Sequence, residues 1–126
     1  DLLSEKQMLD LVNIERNSRG LSTLVFDERL AETGRKHARD MFNRGYFSHY
    51  TPEGLSPFDR FEQASIFYLA AAENLAYAPD VELAHSGLMK SEGHRKNILD
   101  GSFNKVGIGV IDGGIYGKMF VQIFTN

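Results

Sequence analysis

The 126-residue chain has no cysteine. That excludes disulfides, thiolate metal sites and a cysteine nucleophile, and leaves both the cytosol and the cell exterior open as compartments. It also has no Asn-x-Ser/Thr sequon, no internal repeat and no low-complexity linker, so residues 1–126 read as a single domain. No apolar run is long enough to cross a bilayer. The chain starts at Asp1 with neither a methionine nor a signal peptide, which reads as a trimmed mature protein or an excised domain. Walker A, H-E-x-x-H, EF-hand and G-x-S-x-G signatures are all missing, so any active site has to be assembled from distant segments.

What is present fits an ordinary globular domain. The composition is 42% hydrophobic and 25% charged, enough apolar material for a core. The net charge is −3 and the cations are scattered among acids, which argues against nucleic acid as a partner.

Ser4 followed by Gln7 reads as a capping box, with Met8, Leu11 and Val12 behind it, and predicts a first helix over 5–18 ended by Gly20. Asp27 is placed to cap a second helix, whose inner face carries Leu30, Ala31, Gly34, Ala38 and Met41 until Gly45 breaks it. The stretch GYFSHYTPEGLSPFDRF, residues 45–61, is rich in turn formers yet holds five aromatics, and reads as an ordered loop pinned to the core. Ile66, Phe67 and Tyr68 suggest a strand ending near Ala72. Asp80 is placed to cap a third helix over 81–91, and two closing strands, 106–111 and 115–124, flank Asp112-Gly-Gly114. Helices first and a hairpin last predict an α+β domain with an antiparallel sheet covered by helices. The glycines of GIGVIDGG lack phosphate-loop spacing and belong to that hairpin.

Four histidines supply the candidate chemistry. His37 and His85 occupy positions that an ordinary helix face explains. His49 sits in the aromatic loop, and His94 follows Gly93, which reads as a sharp turn presenting the ring. Glu73 follows an apolar run and needs either a partner or a shifted pKa, and a buried ion pair or a backbone cap would serve as well as a site role. His49, Glu73 and His94 would make three ligands of a zinc site with water in the fourth place, although separations of 24 and 21 residues carry no signature.

In combination these segments resemble the CAP superfamily, the cysteine-rich secretory, antigen 5 and pathogenesis-related proteins, and in particular its cysteine-free bacterial branch. Arg16, Leu21, Leu24, Leu30, Ala38 and Met41 resemble its opening two helices. FSHYTPEGLSPFDRF resembles its histidine loop, AENLAYA its glutamate segment, SEGHRKNIL its Gly-His-Arg and Asn-Ile-Leu signature, and VGIGV with FVQIF its closing strands. The resemblance runs from about Met8 to Phe124.

It implies a three-layer α-β-α sandwich with a mainly antiparallel central sheet, an extracellular or cell-envelope location, and an open cavity holding two histidines and two acids. His49, Glu73 and His94 match three of the four. Ser91 stands where the second acid is expected, and the adjacent Glu92 is its candidate substitute. The resemblance further implies a divalent metal such as Zn2+ held by His49 and His94, with no organic cofactor. Three functions follow as expectations: a noncatalytic module binding a metal, small ligand or extracellular partner; a zinc-assisted hydrolase or peptidase with Glu73 and His94 as catalytic candidates; or a lipid or sterol carrier.

Overall fold

The computed structural model describes residues 1–126. Its elements in chain order are α1 (Leu2–Asn17), β1 (Val25–Phe26), α2 (Glu28–Arg44), α3 (Pro57–Gln63), β2 (Ala71–Ala78), α4 (Val81–Lys90), α5 (Glu92–Ile98), β3 (Lys105–Asp112), a 3-10 turn (Gly114–Tyr116) and β4 (Lys118–Thr125). The sheet order is β1-β3-β4-β2, with β1 parallel to β3 and the other two pairings antiparallel. β2 is therefore an edge strand.

The alternation of strand side chains divides the core in two. Val106, Ile108, Val110, Phe120 and Phe124 face α1, α4 and α5, where Met8, Val12, Ala84, Leu88 and Ile98 meet them. Met119, Val121 and Ile123 face α2 and α3, against Leu30, Ala38, Met41 and Phe61. These are the three layers of the expected α-β-α sandwich.

α2 lies unusually close to the sheet, because Gly107 and Gly109 of β3 present no side chain to it. A Cβ on Gly107 would fall on the backbone of Leu30 and Ala31, and one on Gly109 would come within 2.5 Å of the Gly34 carbonyl carbon. On the other face, buried Arg16 of α1 spends its guanidinium on the carbonyls of Ser22, Ile98, Asp100 and Phe103. One side chain thus ties α1 to the end of α5 and the entry to β3, with four of the five donors of a buried cation taken up by backbone carbonyls.

Several boundaries differ from the sequence expectation. Asp1, not Ser4, caps α1: its carboxylate accepts from the Ser4 N–H at 3.1 Å, and Ser4 itself is buried inside the first turn. The capping box lies at Ser56 and Asp59, with Pro57 at the first helical position, and starts a short helix inside the segment read as loop. The strand expected to end near Ala72 instead begins at Ala71; Ser65 to Ala70 precede it outside any strand. Cross-strand pairing with all of β4 fixes that register, and aromatic propensity at residues 66–68 cannot override it. Gly93 is not a turn but lies in α5, an unexpected helix; the chain redirects at Ser91, whose backbone is extended between α4 and α5. β4 starts at Lys118, because the 3-10 turn uses the residues assigned to its beginning. The caps at Asp27 and Asp80 and the stop at Gly45, left-handed at φ 68°, are as expected.

Gly107→Ala is expected to cost at least ~3 kcal/mol, or to prevent folding, because only backbone is available to yield. Gly87→Ala, with nothing within 4 Å of the added Cβ, should be neutral or stabilising by up to ~1 kcal/mol. Urea denaturation of the two variants checks the contrast.

Candidate functional site

The alternation of β2 decides the site. Glu73 points with Leu75 into the α2 and α3 layer, while Asn74 points into the α4 and α5 layer, opposite Gln122. Because β2 is the edge strand, its outer side is not covered by a further strand.

On the first face, Glu73 is buried and both its oxygens are occupied. Arg60 of α3 donates from Nη1 to Oε2 and from Nη2 to Oε1, each at 2.8 Å, and His49 Nδ1 lies 2.9 Å from Oε1. Arg60 Nη2 also donates to the His49 carbonyl at 2.9 Å. Burial alone would raise the Glu73 carboxyl, but the hydrogen bonds from His49 and Arg60 outweigh it and hold the group below its ordinary value. An ionised carboxylate only accepts, so His49 Nδ1 carries a proton, and Nε2 is the nitrogen that holds the lone pair in the neutral ring. The His49 side chain is 44% exposed, so that lone pair belongs to an open ring.

On the second face, Asn74 Nδ2 donates to the His94 carbonyl at 3.1 Å and to Gln122 Oε1 at 3.1 Å, and Asn74 Oδ1 accepts from Asn97 Nδ2 at 2.8 Å. This amide cluster fastens α5 to the sheet. His94 Nδ1 lies 2.7 Å from Ser91 Oγ, so the serine at the expected acid position orients the ring. Burial, and then the proximity of His49, push the His94 pKa below its ordinary value. Ser91 and His94 line one end of an open cleft of about 470 Å3 whose other walls are largely apolar, among them Phe47, Leu75, Leu83 and Leu88.

The structure brings His49 and Glu73 into contact and places His94 close enough to respond to His49. Glu92 is exposed on the first turn of α5 and does not line the cleft. The three-ligand zinc set of His49, Glu73 and His94 is not formed: Arg60 and His49 already use the carboxylate, and no three His, Asp or Glu side chains are grouped to hold a metal ion. What remains is two imidazole Nε2 atoms with no hydrogen bond to the protein.

His37 and His85 are buried, with Nε2 of each engaged by the Ser48 carbonyl and by Glu15 Oε2. Arg60 and Asn74 are the residues that sequence reasoning missed. For Arg60 the available signal was Ser56-Pro57-Phe58-Asp59, a capping box with proline at its start, which marks a helix and hence a fixed position for the arginine. For Asn74 nothing local distinguished an amide from a surface polar residue.

Two outcomes are expected. Glu73→Gln leaves Arg60 buried without its counter-charge and should cost ~3 kcal/mol or more of stability in urea denaturation. Burial, and then the Arg60 charge, lower the His37 pKa, so the folded state binds a proton there less readily than the unfolded chain. That contribution is fully present above the ordinary value of 6.5 and is lost as pH falls through the depressed one. Thermal melts should therefore fall on acidification below that value, and less so in His37→Gln if the variant folds.

Residues 9–124 match the cysteine-rich secretory protein family, CAP. The chain is 39% identical over 119 residues to the uncharacterized protein YkwD of Bacillus subtilis, covering 93% of this chain and 46% of YkwD. Among solved structures it is similar to an extracellular protein containing an SCP domain from Bacillus anthracis, at 35% identity and a TM-score of 0.90, covering 98% of this chain and 40% of that one. An outer surface protein of Borrelia burgdorferi shares the fold at 17% identity and a TM-score of 0.89, over 96% of this chain and 90% of that one. The chain thus spans less than half the length of both Bacillus relatives. With the histidine loop, the glutamate strand and the Gly-His-Arg helix arranged as described around one sheet edge, the chain belongs to the CAP family.

Proposed function

We propose that this CAP domain is a noncatalytic extracellular binding module, in which His49 and His94 take a divalent metal such as zinc and the adjoining apolar cleft receives a small ligand. The observation that carries this reading is the way both rings are held. Each is fixed through Nδ1, His49 by Glu73 and His94 by Ser91, and each leaves Nε2 without a partner. Orienting an imidazole through its other nitrogen is how proteins prepare it for a metal.

Two protein nitrogens are one fewer than catalytic zinc sites use and two fewer than structural ones. An ion held here would complete its shell with water or with atoms of the ligand, which suits exchangeable binding. Glu73 is poorly suited to act as a general base, since both its oxygens are bonded and its hydrogen bonds from His49 and Arg60 hold its pKa below the ordinary carboxyl value. The extracellular description of the Bacillus anthracis relative supports the location. No helix of the chain is long and apolar enough to cross a membrane.

Calorimetric titration of ZnCl2 at about pH 7.5 should show saturable binding that weakens at about pH 5.5 as the imidazoles protonate. His49→Ala and His94→Ala should each abolish it, and Ser91→Ala should weaken it roughly 10- to 100-fold through loss of ring orientation. Absence of binding, or binding that survives both histidine variants, removes the metal from the reading. Peptide-library cleavage that disappears in His94→Ala would replace the module with a hydrolase. Lipid recovered consistently by extraction and mass spectrometry would make the cleft a carrier site.

A further inference from the structure

The free side of β2 borders the open cleft that begins at Ser91 and His94. Four consecutive residues of the strand, Leu75, Ala76, Tyr77 and Ala78, line that cleft. Leu75 packs into the layer of α2 and α3, whereas Ala76 and Ala78 pack into the layer of α1, α4 and α5. A cleft that touches residues of both faces in succession runs along the edge of the strand, where the backbone is presented.

Hydrogen-bond alternation fixes which backbone groups face it. The Val25 and Asp27 N–H groups donate to the Asn104 and Val106 carbonyls, so even-numbered residues of β3 turn towards β1 and odd-numbered ones towards β4. Carried through the register, β4 bonds to β2 at residues 72, 74, 76 and 78. The N–H and C=O groups of Leu75 and Tyr77 therefore point away from the sheet, and no turn, loop or cap bonds to them. At the other edge, by contrast, the outward N–H of Val110 is taken by Glu5 Oε2 at 3.1 Å.

Natural edge strands are guarded by a charge, a proline or a bulge. Between Leu75 and Ala78 there is none of these: pairing with β4 is continuous, the side chains are neutral, and Pro79 lies beyond the end of the strand. Tyr77 is 54% exposed. The cleft walls carry no lysine, arginine, aspartate or glutamate. On the α4 wall Gly87 leaves a slot, with nothing within 4 Å of an added Cβ. Two donors and two acceptors in a row between uncharged walls match an extended polypeptide, which supplies the complementary groups and sends alternate side chains to opposite sides of the strand. A bilayer, a sterol or a lipid chain would leave these backbone groups unsatisfied.

We propose that the cleft is a peptide groove, in which an extended, uncharged segment of a partner protein adds to β2 as a further strand, bonded to the backbone of Leu75 and Tyr77. This occupant names the ligand class of the binding-module reading and rests on that reading of the cleft, but it needs no metal.

The probe is the peptide acetyl-Lys-Val-Thr-Val-Thr-Val-Lys-amide, titrated into isotope-labelled protein with EDTA present and followed by amide NMR. Saturable shifts should centre on Leu75 to Ala78. The Leu75 and Tyr77 amides should become protected from hydrogen exchange by about tenfold or more, while Ala76, already bonded to β4, does not change. Gly87→Phe, which fills the slot, should weaken binding by about tenfold or more. Tyr77→Pro removes an outward N–H without touching the β4 ladder and should bind about tenfold more weakly than Tyr77→Val, the worth of one hydrogen bond. The same peptide N-methylated at every residue should not bind. Absence of saturable shifts along β2, equal binding of the N-methylated peptide, or binding without protection of Tyr77 overturns the proposal. Dimerisation of the free chain through β2, seen by sedimentation and by protection of the same amides, would assign the edge to a second copy and overturns it too. Zinc binding that persists where the peptide fails leaves the metal reading standing, and peptide binding without zinc binding removes the metal alone.

Discussion

Burying a carboxylate beneath an edge strand is the constraint from which the site follows. Glu73 cannot remain ionised in the layer between the sheet and α2 without compensation, and Arg60 supplies it through two hydrogen bonds. For Arg60 to be there, α3 must form and dock, which is why a capping box and a proline appear in the middle of a segment otherwise written in loop residues. The same guanidinium holds the His49 carbonyl, so the ion pair also orders the histidine loop. The pair thereby specifies the position of a helix, a loop and an imidazole.

The opposite face of β2 solves a different problem with neutral groups. Asn74, Gln122 and Asn97 share hydrogen bonds in a largely buried cluster that fixes α5 through the His94 carbonyl. One strand with period-two alternation therefore holds two histidines by two chemistries, an ion pair for His49 and an amide ladder for His94. Neighbouring residues in sequence serve opposite layers, and nothing in the chain pairs with the outer edge of the strand that carries them.

Arg60 also lines a polar cavity beside the histidine loop. Its Nη groups are committed to Glu73 and the His49 carbonyl, and its Nε is buried without a hydrogen-bond partner in the protein. At Gly107 and Gly109 the helix that carries His37 rests directly on the backbone of β3, while its apolar side chains pack on β4.

Much of this was written locally. Caps at Asp27 and Asp80, helical spacing through Leu30, Ala38 and Met41, and alternation through Val106, Ile108 and Val110 determine helices and a hairpin wherever the chain is folded, because propensity, capping and side-chain period act over a few residues. The order of the histidine, glutamate and Gly-His-Arg segments likewise nominated His49, Glu73 and His94 without coordinates. What tertiary structure decided was which of their atoms remain free. Glu73 could have been ligand, base or ion-pair partner on sequence grounds. Only its pairing with Arg60, 13 residues away on a helix set by long-range packing, makes it an ion-pair partner. Ser91 rather than Glu92 meets His94 because Ser91 is the N-cap of α5 and His94 its third residue, a contact within one turn, while Asn74 of β2, 20 residues away, is what anchors that turn to the sheet through the His94 carbonyl.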